Sequence, residues 1–203
     1  MSPEPLQARS IAEIHLFLMA TPCAKCDRGP LKHRSDPLEP ARTHQPVELL
    51  ATCESCGHTH TFHFALPPDV QPDDRDNLYP IINPTVQPSR ILDVGQWIVL
   101  FRVILEAAGN QKDKIEARRL GYEAAQCLEE AIKFYTDNDL PPPGALCCDV
   151  SRARFREHPE QFSKERLIEM RGKLPKLTTM KRQLSDGKKP RSGAKKPWWR
   201  WWG

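Results

Sequence analysis

The residues best placed for chemistry are two C-x-x-C pairs, in "PCAKCDRGP" (22–30) and "TCESCGHTHTFHF" (52–64), the second followed closely by three histidines. A C-x-x-C turn aims two thiolates at one point, and zinc takes four such ligands in a tetrahedron. Cys23, Cys26, Cys53 and Cys56 complete that set by themselves, with twenty-six residues between the inner cysteines. His58 and His63 are the rival ligands, in an H-x4-H pattern, but a single residue separates Cys56 from His58. A two-cysteine, two-histidine finger needs about twelve residues there. His58, His60 and His63 are therefore read as ordinary solvent-facing or half-buried strand residues. Four protein ligands leave no open position for water, so the expected zinc is structural rather than catalytic.

Other chemistry is thin. The chain has no P-loop, G-x-G-x-x-G, G-x-S-x-G or H-E-x-x-H. Glu116, Glu123 and Glu130 recur every seven residues, but no facing E-x-x-H motif accompanies them, and a solvated helix face is the expectation. Cys147 and Cys148 are adjacent, a pair that closes a disulfide only with strain; they are read as small thiols, with a redox switch as the rival. Cys127 fits simple packing. Lys25, Arg28, Lys32, His33 and Arg34 flank the first knuckle, where they can offset thiolate charge.

Seven cysteines, an odd count, with four in C-x-x-C pairs favour metal ligation over a disulfide framework. The apolar run "IHLFLMA" (14–20) is too short for a membrane span and lacks the flanks of a secretory signal, so the expectation is a cytoplasmic protein. Net charge is +4, but residues 163–203 carry thirteen Lys/Arg against three Asp/Glu, making the rest acidic. Polyanion preference, if any, should reside in that tail. Lys195, Lys196, Trp198, Trp199, Arg200, Trp201 and Trp202 end the chain. Such residues suit three uses: aromatic anchors on a protein partner, base stacking with phosphate neutralisation, or the headgroup zone of an anionic membrane.

The elements that must position these groups follow from pattern. Ser10 with Glu13 has capping-box spacing, and Ile11, Ile14 and Leu18 share a helical face, so a short helix is predicted over the competing strand. "VELLAT" (47–52) and "HTHTFHFAL" (58–66), reversing at Gly57, predict a hairpin. The proline-bearing stretch between the knuckles is expected to be a surface loop pinned by the metal. Residues 67–90, with six prolines, read as an extended linker. "ILDVGQWIVLFRVILEAAG" (91–109) and the pattern through Tyr135 predict an antiparallel helical hairpin, with Gly109 as a helix-ending residue. "NDLPPPG" (138–144) ends the second helix, and a last helix is expected from Ser163, with Phe162 and Leu167 as a hydrophobic staple. Residues 176–203 are expected to be disordered.

Residues 21–66 resemble a zinc ribbon, the rubredoxin-like knuckle-and-hairpin module found in many nucleic-acid and protein adaptors; Asp27 stands where ribbons often place glycine. The whole arrangement, including "DVGQW", resembles bacterial zinc-ribbon proteins to which no activity is assigned. The expectation is a small α+β protein: N-terminal helix (1–20), four-cysteine zinc ribbon (21–66), linker (67–90), helical region (91–175) and basic, Trp-ended tail (176–203). Its expected role is non-enzymatic, as an adaptor acting on a protein partner, with nucleic acid or an anionic membrane surface as the other partners that residues 188–203 could take, and no small-molecule substrate. Nucleic-acid binding and thiol-based redox sensing are the alternatives.

Overall fold

A computed structural model describes residues 4–33, 47–68 and 80–174. The fold is small α+β, in two units divided between Leu92 and Asp93.

The first unit is built on a four-stranded sheet in the order β1-β4-β3-β2, with β1 at Leu6–Gln7, β2 at Leu31–His33, β3 at Val47–Cys53 and β4 at Thr59–Ala65. The β3–β4 hairpin is the predicted one, antiparallel with Ala51 opposite His60 and Leu49 opposite Phe62. Two strands are additions. The inter-knuckle stretch, expected to be loop, contributes β2, antiparallel to β3 with Leu31 opposite Cys53; Arg34 and residues 35–46 lie outside the described residues. β1 pairs in parallel with β4. Side chains alternate across a strand, so Leu49, Ala51 and Cys53 share a face with Leu31, His60 and Phe62.

Helix α1, Ile11–Ala20, covers that face. Its cap is as predicted: Ser10 Oγ accepts from the Glu13 amide at 3.0 Å. The Glu13 carboxylate reaches back one residue further, to the Arg9 amide. Ile11, Ile14, Leu16 and Leu18 are buried, and Phe17 meets Phe62 and Phe64 edge-on at 5.5 and 5.6 Å. Edge-to-face contact matches the positive ring edge to the negative ring face. Within the segment read as linker, residues 80–90 have no helix or strand, yet Ile82 and Asn83 are buried and Ser10 Oγ donates to the Ile82 carbonyl.

The second unit contains the predicted helical hairpin, α2 at Val94–Asn110 and α3 at Lys114–Ile132. Asp93 caps α2 with a full capping box to Gln96, and the helix runs through Gly109 rather than ending on it. Trp97, Ile98, Phe101 and Ile104 of α2 are buried, as are Leu120, Ala124, Ala125 and Leu128 of α3, where the small residues let the backbones approach. The carboxylate row of α3 departs from expectation. Glu123 and Glu130 are buried rather than solvated, with Arg119 bridging Glu116 and Glu123 and Lys133 held on Glu130. A buried carboxylate requires such a partner.

Helix α4, Asp149–Glu157, was not anticipated; its N-cap is Cys148, outside the usual Ser/Thr/Asp/Asn set. Helix α5, Lys164–Gly172, begins after the Ser163 cap as expected, with both staple residues buried. A single carboxylate fastens α4 to the start of α2. Asp93 Oδ1 accepts from the Gln96 amide (2.9 Å) and Ser151 Oγ (2.7 Å), and Oδ2 from the Cys147 and Cys148 amides (2.9 and 3.1 Å). Gly95 permits this approach, because a Cβ there would sit 2.3 Å from Ser151 Oγ.

Two outcomes follow. Gly95→Ala should destabilise the second unit by about 1–3 kcal/mol, the usual cost of overpacking, read as a lower midpoint of helical circular dichroism in urea. His15 of α1 is pushed down from 6.5 to about 4, by burial and then by the charge of His33. A histidine with a depressed folded pKa supports the fold fully above pH 6.5 and loses that support as pH falls toward 4. Between pH 7 and 5.5 the wild type should therefore lose about 1 kcal/mol more than His15→Leu; equal losses would contradict the assignment.

Candidate metal centre

The two knuckles are built alike. In the first, the Asp27 amide donates to the Cys23 carbonyl (2.8 Å) and the Cys23 amide to that of Arg28 (2.7 Å). In the second, the Gly57 amide donates to Cys53 (2.9 Å) and the Cys53 amide to His58 (2.8 Å). Each turn closes through one left-handed residue after its second cysteine, Asp27 at φ 56° and Gly57 at φ 71°. Aspartate is one of the few non-glycine residues that enter this region at modest cost. The departure at Asp27 thus leaves the knuckle geometry intact.

β2 and β3 carry the knuckles to one end of the sheet. The Glu54 amide donates to the Pro30 carbonyl and Ser55 Oγ to Gly29, tying one turn to the other. Lys32 is paired with Glu54, so one of the flanking cations already has a carboxylate partner. Lys25 and Arg28 are exposed.

The four sulfurs of Cys23, Cys26, Cys53 and Cys56 all lie within 4.8 Å of one another. Cys23 and Cys56 are separated by 3.6 Å, Cys26 and Cys53 by 3.7 Å. A tetrahedron with zinc–sulfur bonds near 2.3 Å has sulfur–sulfur edges of about 3.8 Å, so the donor set fits a zinc-sized ion. The environment also favours thiolate. Burial raises the Cys23 thiol, but hydrogen bonding from His60 and the Lys25 and Cys26 amides outweighs it, holding the group down to about 5.

His60 is the residue whose role sequence reasoning missed. It is half-buried on β4, as expected, but its Nε2 lies 3.2 Å from Cys23 Sγ, within reach to hydrogen-bond the thiolate. Its ring stacks near Phe62 at 6.0 Å and meets His58 edge-on at 4.8 Å. The usable signal was parity: His60 is two residues from Phe62 and four from Phe64, on the face α1 covers. His58 is exposed, and His63 lies on the opposite face, 4.0 Å from Glu48.

The remaining cysteines are elsewhere. Cys127 is buried in α3, its thiol pushed well up by burial and by Glu123 and Glu130. Cys147 is exposed, and its thiol is raised by desolvation and by the charges of Asp93 and Cys148. Lys195, Lys196, Trp198, Trp199, Arg200, Trp201 and Trp202 lie outside the described residues. Among the described residues no helix is long and apolar enough to cross a membrane. Comparison with protein families, curated proteins and solved structures finds no match for this chain.

The two left-handed positions make opposite predictions. Asp27→Gly should leave metal affinity unchanged and hold or raise stability by up to about 1 kcal/mol, whereas Gly57→Ala should cost about 1 kcal/mol. A Cβ at Gly57 meets nothing within 4 Å, so that cost is backbone strain alone. Metal-release midpoints against a graded chelator series would check both.

Proposed function

We propose that the chain is a non-enzymatic, zinc-stabilised binding protein of the adaptor type. The observation that carries this reading is the convergence of four thiols from two knuckles inside 4.8 Å. Four protein ligands saturate a tetrahedral ion, so zinc here would fix the knuckle ends of β2 and β3 and leave no site for an activated water. Holding those turns is a folding contribution, since a preformed thiolate cluster does not exist in the unfolded chain.

In this reading the partner-facing work belongs to residues 188–203, where Lys195 and Lys196 precede the indoles flanking Arg200. Aromatic anchors among cations favour a protein partner with acidic rims around apolar pockets. A thiol redox sensor receives less support. Reactive cysteines need a depressed pKa, and Cys147 is shifted the other way.

Protein purified without added zinc should carry one zinc per chain by elemental analysis, with four sulfur ligands at about 2.3 Å by X-ray absorption. Chelation should abolish the β-sheet signature while most helical circular dichroism persists, because α2 and α3 belong to the other unit. Absence of sulfur-bound metal would sink the reading, and loss of all helical signal would sink its two-unit form. For the tail, only Trp97 lies outside it, so tryptophan emission reports mainly on residues 198–202. Salt-reversible quenching by single-stranded nucleic acid, or a blue shift on anionic vesicles, would replace the protein-partner assignment.

A further inference from the structure

We infer that Cys56 is the oxidation site of the metal centre: a peroxide attacks its thiolate, Cys23 resolves the product as a disulfide, and the ion is released. The inference rests on the zinc-bound reading above and adds to it a modification site through which the cluster opens. It concerns the structural site itself, not a sensor built on Cys147 and Cys148.

Once a divalent ion is bound, all four ligands are thiolates, because the metal deprotonates each coordinating thiol. Access then separates them. Cys23 and Cys53 are each 1 % exposed and Cys26 is half-buried, whereas Cys56 is exposed. It lies in the second knuckle within a run from Glu54 to Thr59 that is exposed throughout. The space beside it is open, since a Cβ on Gly57 would meet nothing within 4 Å. Susceptibility of a cysteine to oxidation follows thiolate character together with solvent access, and Cys56 combines the two. Cys147 is exposed too, but it lies outside the cluster that would ionise it, and Cys127 is buried.

Distance selects the second reactant. Cys23 Sγ is 3.6 Å from Cys56 Sγ, while Cys26 Sγ is 3.7 Å from Cys53 Sγ. The cluster thus falls into two pairs, each crossing from one knuckle to the other, and the exposed sulfur is matched to a buried one. A disulfide needs those two sulfurs about 1.5 Å closer, a movement shared between two turns. His60 Nε2, 3.2 Å from Cys23 Sγ, holds the resolving sulfur in place.

The electron balance closes with peroxide as the oxidant. The Cys56 thiolate attacks one oxygen of HOOH; the S–O bond forms, the O–O bond breaks, and hydroxide leaves. Sulfur is oxidised to a sulfenic acid and peroxide is reduced. The Cys23 thiolate then attacks the Cys56 sulfur; the S–S bond forms, the S–O bond breaks, and a second hydroxide leaves. Both hydroxides take protons from water. Cys26 and Cys53 remain as the other pair, and two thiolates do not saturate a tetrahedral ion.

The test treats the zinc-loaded, full-length protein with roughly equimolar hydrogen peroxide in the presence of dimedone, which traps sulfenic acids. A parallel reaction without the trap follows zinc with a chromogenic chelator. Trypsin cuts after Lys25, so Cys23 and Cys26 enter different peptides, while Cys53 and Cys56 stay together and are told apart by fragmentation. The expected result is dimedone on Cys56 and, without the trap, zinc release with a Cys23–Cys56 disulfide. Cys56→His keeps four ligands as a three-cysteine, one-histidine set and should release zinc about tenfold more slowly. First modification at Cys23, Cys26 or Cys53, a Cys53–Cys56 disulfide, or an unchanged release rate in Cys56→His overturns the inference. So does zinc retained with the cluster unmodified. If Cys56→His fails to hold zinc, the wild-type map decides by itself. Zinc measured before peroxide separates the two levels: its absence overturns the zinc reading, whereas its presence with an unreactive Cys56 overturns the oxidation site alone.

Discussion

Four sulfur atoms inside 4.8 Å cannot all ionise together unless a cation sits among them. Without one, crowding distributes protons unevenly. The Cys56 thiol, although lowered by its hydrogen bond with the His58 backbone, is pushed up to about 12 by burial and the other three sulfurs, while Cys23 is held down to about 5. A divalent ion removes this conflict, since it favours thiolate at every position. The first unit is arranged around that requirement. Its hairpin, its added strand β2 and the hydrogen bonds between the two turns all converge on the same end of the sheet. Among the described residues the sheet has four strands and one covering helix, so its apolar face is small, and a small core gains proportionally more from a metal staple.

The second unit solves a different problem, that of charge among packed helices. Arg119 accompanies Glu123 into the interior, half-buried Lys133 reaches Glu130, and Asp93 is buried with four donors on its two oxygens. Buried carboxylates are tolerable when every lone pair has a donor, and removing one donor is costly. This specificity complements the apolar contact between α2 and α3.

Much of this was legible from local pattern. The four-cysteine cluster follows from spacing alone, because C-x-x-C turns carry their geometry with them. The Ser10 cap, the β3–β4 hairpin, the helical hairpin and the Ser163 cap follow from periodicity and capping chemistry. What was illegible depended on distant pairing. β2 is three residues in a proline-bearing stretch and exists because β3 offers it an edge. α4 starts from an atypical cap that is meaningful only once Asp93 binds the Cys147 and Cys148 amides. The carboxylates of α3 look solvated by their spacing, and only their cationic partners reveal that they are buried. His60 was recognised as a strand residue, but its reach to Cys23 depends on the hairpin register bringing residues 37 apart in the chain together.

Asp93 also joins contacts of very different sequence range. Its Oδ1 has the Gln96 amide within three residues, so the α2 cap can close as soon as that turn forms. Its other donors, Ser151 Oγ on the same oxygen and the Cys147 and Cys148 amides on Oδ2, lie 54 to 58 residues later. Contacts close in sequence cost less loop closure than distant ones, so the α2 cap can be made without α4, whereas the start of α4 draws on a carboxylate of α2. One side chain thus joins a cap closed within three residues to contacts 54 or more residues away.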